Sequence, residues 1–153
     1  MEPQNYHNIH ANSLIIDHQG ILIYGKSGSG KTSLMLSLLE HAKTKNRLAI
    51  MVADDQSLIF STNNRLVAHC PRANEGKLEV RGYGIVDAPF IASAVMNLVV
   101  EIMPHKEIER MREKNTKTID GVQLPLIFVP QHDLQQSVQI IMAALAGLKN
   151  APL

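Results

Sequence analysis

The sequence predicts an α/β fold: one mixed sheet, flanked by helices, that contains a phosphate-binding loop (P-loop). Three observations predict it. The apolar run "GILIY" (20–24) leads into the glycine-rich stretch "GKSGSGKTS" (25–33). That stretch opens a segment in which Leu34, Leu38 and Leu39 recur at helical spacing, and an apolar strand follows, so the front of the chain reads as a parallel βαβ unit. Further along, paired apolar runs separated by Asn or Asp-Gly turns predict antiparallel hairpins added to the sheet.

In chain order, "NSLIID" (12–17) and "GILIY" (20–24) are apolar runs joined by His18 and Gln19, a hairpin or two consecutive strands. "KTSLMLSLLEHAKTK" (31–45) predicts a helix, and "RLAIMVADD" (47–55) a buried strand ending in two acids. "SLIFS" and "RLVAHC" flank "TNN", an Asn-turn hairpin. "KLEVRGYGIVDAP" (77–89) is a strand running into a Gly-rich turn, and "LVVEIM" (98–103) another strand. "HKEIERMREKN" (105–115) predicts a charged, solvated helix. "KTIDGVQL" (117–124) carries the Asp-Gly hairpin signal, "PLIFVP" (125–130) is a strand, and "DLQQSVQIIMAALAGLK" (133–149) a final amphipathic helix with Asp133 at its start. With no repeat, linker or low-complexity segment, residues 1–153 are expected to form a single domain.

Bulk properties exclude several classes. Hydrophobic residues make up 45% of the chain and charged residues 19%, enough to bury a core. The net charge of +1 gives no reason to expect nucleic acid or an acidic membrane surface as a partner. The single cysteine, Cys70, reads as a small buried hydrophobe at a strand end. The first residues lack a signal-peptide pattern, and no stretch reaches the ~20 apolar residues of a membrane span. The expected setting is cytoplasmic.

The loop has the spacing G-x-x-x-x-G-K-[ST]. Gly25 and Gly30 allow the tight turn. Together with Lys26, Ser27, Gly28 and Ser29 they form a loop whose N–H groups point at phosphate oxygens, at the positive end of the following helix. Lys31 is placed to reach β and γ phosphates and Thr32 to offer its hydroxyl to Mg²⁺. A chance Gly/Ser turn is the bland alternative; the preceding strand and following helix favour the phosphate loop.

"MVADD" is an apolar strand ending in Asp54 and Asp55, the expected source of the acid near Mg²⁺. Adjacent side chains at a strand end diverge, so one acid can serve the metal and the other the transferred phosphate. A solvated turn explains the pair about as well when it is taken alone. In "LEVRGYGIVD", Glu79 and Arg81 alternate with Leu78 and Val80 and so share a face, while Gly82 and Gly84 bracket Tyr83. By itself this is also a strand with a bulge. Among the seven histidines, physical reasoning does not choose His10 over His7 or His18.

Taken together, the loop, "VADD" and "LEVRGYGIVD" in this order resemble the catalytic domain of HPr kinase/phosphorylase, over nearly the whole chain. That resemblance implies an ATP- and Mg²⁺-dependent serine kinase acting on an HPr-like phosphocarrier of the phosphotransferase system, assembled as a homohexamer. It also implies a nucleotide site like that of phosphoenolpyruvate carboxykinases. By resemblance His10, fifteen residues before Gly25, is the catalytic histidine, Lys31 the loop lysine, Thr32 and Glu79 the metal positions, and Asp54 the base. The catalytic arginine falls at Arg110, with Arg112 as competitor.

The departures are as informative. The chain resembles short forms without a separate N-terminal domain. Thr32-Ser33 replaces the usual Ser-Glu, and "TKNRLAIM" lengthens the approach to the acids. "QHDLQQ" (131–136) stands where the family carries an "RPGRN" loop associated with dephosphorylation, so reverse activity is expected to be weak or absent. Two other readings stay open: a P-loop kinase of a small metabolite, and a nucleotide-sensing module without phosphoryl transfer.

Overall fold

The computed structural model describes residues 5–108 and 113–149. The fold is mixed α/β, with strands β1 (His7–Ile9), β2 (Ala11–Ile16), β3 (Gln19–Tyr24), β4 (Ala49–Ala53), β5 (Ser57–Thr62), β6 (Arg65–His69), β7 (Lys77–Val80), β8 (Gly84–Asp87), β9 (Ser93–Met96), β10 (Leu98–Met103), β11 (Asn115–Ile119) and β12 (Val122–Pro130). Helices α1 (Lys31–Thr44) and α2 (Leu134–Lys149) complete it.

A six-stranded sheet runs in the order β11-β12-β10-β3-β2-β4. β3, β10 and β12 are parallel neighbours. β2 pairs antiparallel with both β3 and β4, so β4 runs parallel to β3 with β2 between them. The βαβ unit is therefore present, but its two strands are not hydrogen-bonded to each other. The tight return from β2 to β3 puts β2 in that place. Its corner residue Asp17 adopts φ 55° and accepts two guanidinium N–H bonds from Arg47, at 2.9 and 2.7 Å.

Period-two alternation splits the core. Leu14, Ile16, Ile21, Ile23, Leu98, Val100, Ile127 and Val129 face the helices, packing on Leu34, Met35, Leu38 and Ala42 of α1 and Ile141 and Leu145 of α2. Leu22, Val99, Leu124 and Leu126 point the other way, onto Ile59, Leu66, Ala68 and Met96. That second layer is an all-antiparallel sheet, β1-β5-β6-β9. The helices flank the main sheet on one face. One expectation is corrected: the middle hairpins form their own sheet instead of extending the first. The apolar undersides of β3, β10 and β12 need a cover, and the second sheet supplies it.

The β5–β6 hairpin turns on Asn63 and Asn64, both at positive φ, 50° and 59°, the mark of a type I′ turn. Of residues 105–115, expected to form one charged helix, 109–112 lie outside the described residues. Within the described residues, a short 3₁₀ turn occupies His105–Glu107 and β11 begins at Asn115. Cys70 is fully buried just after β6, and burial, followed by the nearby Glu75 carboxylate, pushes its thiol up to about 11. No helix among the described residues is long and apolar enough to cross a membrane.

The two sheets come into close contact at Gly20. A Cβ there would lie 2.0 Å from the Val95 carbonyl oxygen, while the Gly20 N–H donates to the Asn97 side chain at 2.8 Å. Overpacking typically costs about 1–3 kcal/mol and more where backbone must move. Gly20→Ala is expected to lower unfolding free energy by about 3 kcal/mol or more in urea titration, whereas alanine at the uncrowded, helical Gly147 is expected to cost nothing or to stabilise by up to about 1 kcal/mol.

Candidate functional site

The four parallel strands β3, β10, β12 and β4 all end at one edge of the main sheet, where ligands of open α/β sheets bind. β3 ends at Tyr24 and passes directly into the glycine-rich loop. Space at Gly25 is tight: a Cβ would lie 2.3 Å from Ser29 Oγ, so the serine side chain would have to turn away. Gly28 and Gly30 instead take left-handed φ of 79° and 100°. The Ser29 N–H closes the loop onto the Lys26 carbonyl at 2.9 Å, and α1 starts at Lys31. Lys31 is 7% exposed, and its Nζ donates to the carbonyls of Gly25 (2.9 Å) and Lys26 (3.4 Å). Tyr24, at the loop's root, is no candidate base at neutral pH, because burial, then Glu101, pushes its phenol up to about 12.

Asp54 leaves the end of β4 and turns inward. Its Oδ1 accepts the Thr32 hydroxyl at 2.7 Å and Asn12 Nδ2 at 2.7 Å, and its Oδ2 accepts the Glu79 backbone N–H at 3.0 Å. One carboxylate thus ties the first turn of α1, strand β2 and hairpin β7–β8 together. Asp55 turns outward, is exposed, and is held at φ 65°, with its N–H donated to Asn12 Oδ1 at 3.0 Å. The divergence expected of adjacent acids at a strand end is what the backbone produces.

The hairpin β7–β8 closes the cleft from above. Leu78 is buried in the helix-side core, and the alternation turns Glu79 and Arg81 toward the loop. The resulting cleft, about 300 Å³, is lined by Ser27, Gly28, Gly30, Lys31, Thr32 and Ser33 on the loop side, with Asp54, Asp55, Glu79 and Arg81 opposite. Thr32, Asp54 and Glu79 offer oxygen donors only, a set that suits a hard cation such as Mg²⁺, which usually takes one or two carboxylates together with phosphate and water. Lys31, Thr32, Asp54 and Glu79, drawn from three separate stretches of sequence, are therefore brought together.

His10 is not among the residues lining this cleft. It is exposed at the bend between β1 and β2, and continuing the Ala11–Tyr24 pairing by one step sets it beside Gly25. Arg110 and Arg112 lie outside the described residues. Asn12 was not anticipated. It is fully buried, uses both ends of its amide on the two acids, and sits two residues after His10. A polar residue inside the apolar run of β2 was the available signal.

Fold and site together define a mixed α/β domain with a glycine-rich loop and an acid-lined cleft at the carboxyl edge of its parallel strands. The family model described as HPr serine kinase C-terminal domain matches residues 3–151, and the chain belongs to that family. It is similar to the HPr kinase/phosphorylases of Malacoplasma penetrans (27% identity, 92% of this chain, 49% of the relative) and Mycoplasma mycoides (30% identity, 92% of this chain, 47% of the relative). It is also similar to that of Chloroherpeton thalassium (30% identity, 82% of this chain, 39% of the relative). The chain thus spans about half or less of these relatives' length. The same fold appears in the solved Hpr(Ser) kinase/phosphatase of Coxiella burnetii, with a TM-score of 0.80 at 24% identity over 94% of this chain and 99% of that one.

Removing the Asn12 amide leaves the inner acid short of a donor and the Asp55 N–H without its acceptor. An unpaired buried group costs about 1–3 kcal/mol. Asn12→Ala is expected to destabilise the fold by about that amount in denaturant titration. Equal stability of wild type and variant would show that water replaces the amide without cost.

Proposed function

We propose that the chain is the single-domain catalytic unit, residues 1–153, of a Mg²⁺- and ATP-dependent protein-serine kinase whose substrate is an HPr-like phosphocarrier. The observation that carries this reading is the 2.7 Å bond from Thr32 Oγ1 to Asp54 Oδ1 on the floor of the cleft. It seats the strand-end acid beside the loop's hydroxyl, the place where phosphate-loop enzymes bring metal, transferred phosphate and an acidic side chain together. The relatives named above are HPr kinases, which supports the choice of substrate. A cytoplasmic, homohexameric protein belongs to the same reading.

The roles follow from position. Loop N–H groups and Lys31 bind the β and γ phosphates, the lysine exchanging its loop carbonyls for phosphate oxygens. Thr32 and Glu79 hold the metal, which neutralises charge on the transferring phosphoryl group when bound. Among the described residues, Oδ2 of Asp54 accepts only the Glu79 N–H, so it retains a lone pair for the seryl proton. His10 assists from the β1–β2 bend, and Arg110, or Arg112 in its place, stabilises the transferring charge.

Proton transfer by a positioned base is worth roughly 10²–10⁴ in rate. Asp54→Asn is therefore expected to cut carrier phosphorylation by about that factor while ATP affinity, measured by equilibrium binding, changes little. Equal loss of affinity and turnover would make Asp54 a metal ligand only. Transfer that persists unchanged would contradict the kinase reading of this cleft. Glu79→Gln is expected to raise the Mg²⁺ concentration that half-saturates activity, because an amide binds a hard cation far less well than a carboxylate.

The reverse reaction is expected to be weak. The loop 131–136 has no arginine, and its Asp133 is engaged as the cap of α2, accepting the Gln136 N–H at 3.0 Å. Charge-assisted hydrogen bonds are worth about 1.5–3 kcal/mol each, so two missing guanidinium contacts amount to about 10²–10⁴ in rate. Seryl-phosphorylated carrier supplied with millimolar phosphate and no ATP is expected to release little pyrophosphate. Release as fast as forward transfer would contradict this.

A further inference from the structure

The pairing of β2 with β4 shifts by one residue between Leu14 and Ser13. Ile16, Ile15 and Leu14 stand opposite Ala49, Ile50 and Met51, but Ser13 stands opposite Ala53, which leaves Val52 as an extra residue in β4, a β-bulge. Continued by one step, the shifted pairing sets Asn12 opposite Asp54, on the same face. The unshifted pairing would have set Asp54 opposite Ala11, whose side chain packs onto the second sheet. A one-residue slip reverses the face on which a side chain falls, so the bulge turns Asp54 toward Thr32 and Asn12. We propose that Asn12 is a positioning residue for phosphoryl transfer: it fixes the inner acid with Oδ1 engaged and Oδ2 left for the seryl proton. The inference rests on reading Asp54 as the base of the cleft.

The amide fits both acids in one orientation only. Nδ2 donates to Asp54 Oδ1 at 2.7 Å, and Oδ1 of Asn12 accepts the Asp55 N–H at 3.0 Å. A reversed amide would set oxygen against carboxylate and N–H₂ against N–H. Its surroundings hold it still. The Ser57 hydroxyl donates to the Ala11 carbonyl at 2.9 Å and lies 2.9 Å from the Ser13 hydroxyl, so the backbone on each side of Asn12 is tied to β5. Met35 Sδ, 3.9 Å from Nδ2, packs against the amide from α1.

An aspartate carboxylate otherwise turns freely about its last torsion, which has no sharp minimum. Two donors on one oxygen remove that freedom. Thr32 supplies the first and is also assigned to the metal, so Asn12 is the Oδ1 partner with no other task in the reaction. Asn12 is fully buried and is not among the residues lining the cleft, so its influence on the reaction passes through Asp54. Outer partners of this kind, which orient a group that touches the reacting atoms, are typically worth about 10–100-fold in activity.

The test is a double-mutant cycle on the full chain: wild type, Asn12→Leu, Asp54→Asn and the two together, with Asn12→Ala as a second removal of the amide. Leucine keeps the branched outline of asparagine, and a thermal melt gives the folded fraction by which each rate is divided. At saturating ATP, Mg²⁺ and carrier, Asn12→Leu is expected to lower kcat about 10–100-fold while ATP affinity stays within about threefold, the pattern of a group that serves only the transition state. Once Asn12 is gone, Asp54→Asn is expected to cost about 10–100-fold less than it costs in wild type, because the acid it disarms is no longer aimed. Losses that multiply instead would mean a structural role only, and the proposal fails. A kcat restored by raising Mg²⁺ would make Asn12 a support of the metal and also overturns it. Hydrogen exchange reads the geometry without any carrier: the Asp55 amide is expected to exchange faster in Asn12→Leu, and unchanged protection overturns the clamp. Wild-type transfer matched by both Asn12 variants sinks this proposal alone, whereas a wild type that phosphorylates no carrier sinks the kinase reading and this proposal with it.

Discussion

The carboxylate of Asp54 is the group on which the arrangement of the cleft depends. It is nearly buried, and each of its bonds comes from a different part of the chain: Thr32 from α1, Asn12 from β2 and the Glu79 N–H from β7. A buried carboxylate is tolerable only when it is well hydrogen-bonded, and three donors meet that demand. The same three bonds set the distance between the phosphate loop and the hairpin that bears Glu79 and Arg81. Asn12 adds a second constraint, since its carbonyl oxygen holds the Asp55 N–H. Asp55 can therefore remain in a left-handed conformation that faces its side chain outward.

Sheet topology makes that meeting possible. With β2 inserted antiparallel between β3 and β4, the start of β2 lies beside the ends of both neighbours. One edge then gathers the glycine-rich loop from β3, the acids from β4 and the Asn12 amide from β2, while β10 and β12 end beside them. The second sheet contributes little to this edge directly. Its part is to bury Leu22, Val99 and Leu126, and so to fix the strands that carry the site.

What was legible in the sequence was local. The loop, the helix it opens, the strand ending in two acids and the alternation of Glu79 with Arg81 are each written in about ten consecutive residues, and the backbone follows them. What was not legible depends on partners far along the chain. Asn12 bonds an acid 42 residues away, and nothing next to it in sequence announces the contact. Strand β1 is three residues long and exists by pairing with β5, a contact that short-range periodicity does not encode. The apolar residues of β3 alternate clearly, yet alternation does not say whether helix or sheet covers each face.

The central claim is that this cleft transfers a phosphoryl group to a serine of a small carrier protein. The most direct measurement is incubation of the chain with γ-labelled ATP, Mg²⁺ and an HPr-type carrier, followed by mapping of the labelled residue. The account predicts label on a single serine of the carrier and none when Lys31 is replaced by alanine. Label on a histidine, label retained in the Lys31→Ala protein, or tight ATP binding with no labelled carrier would contradict it.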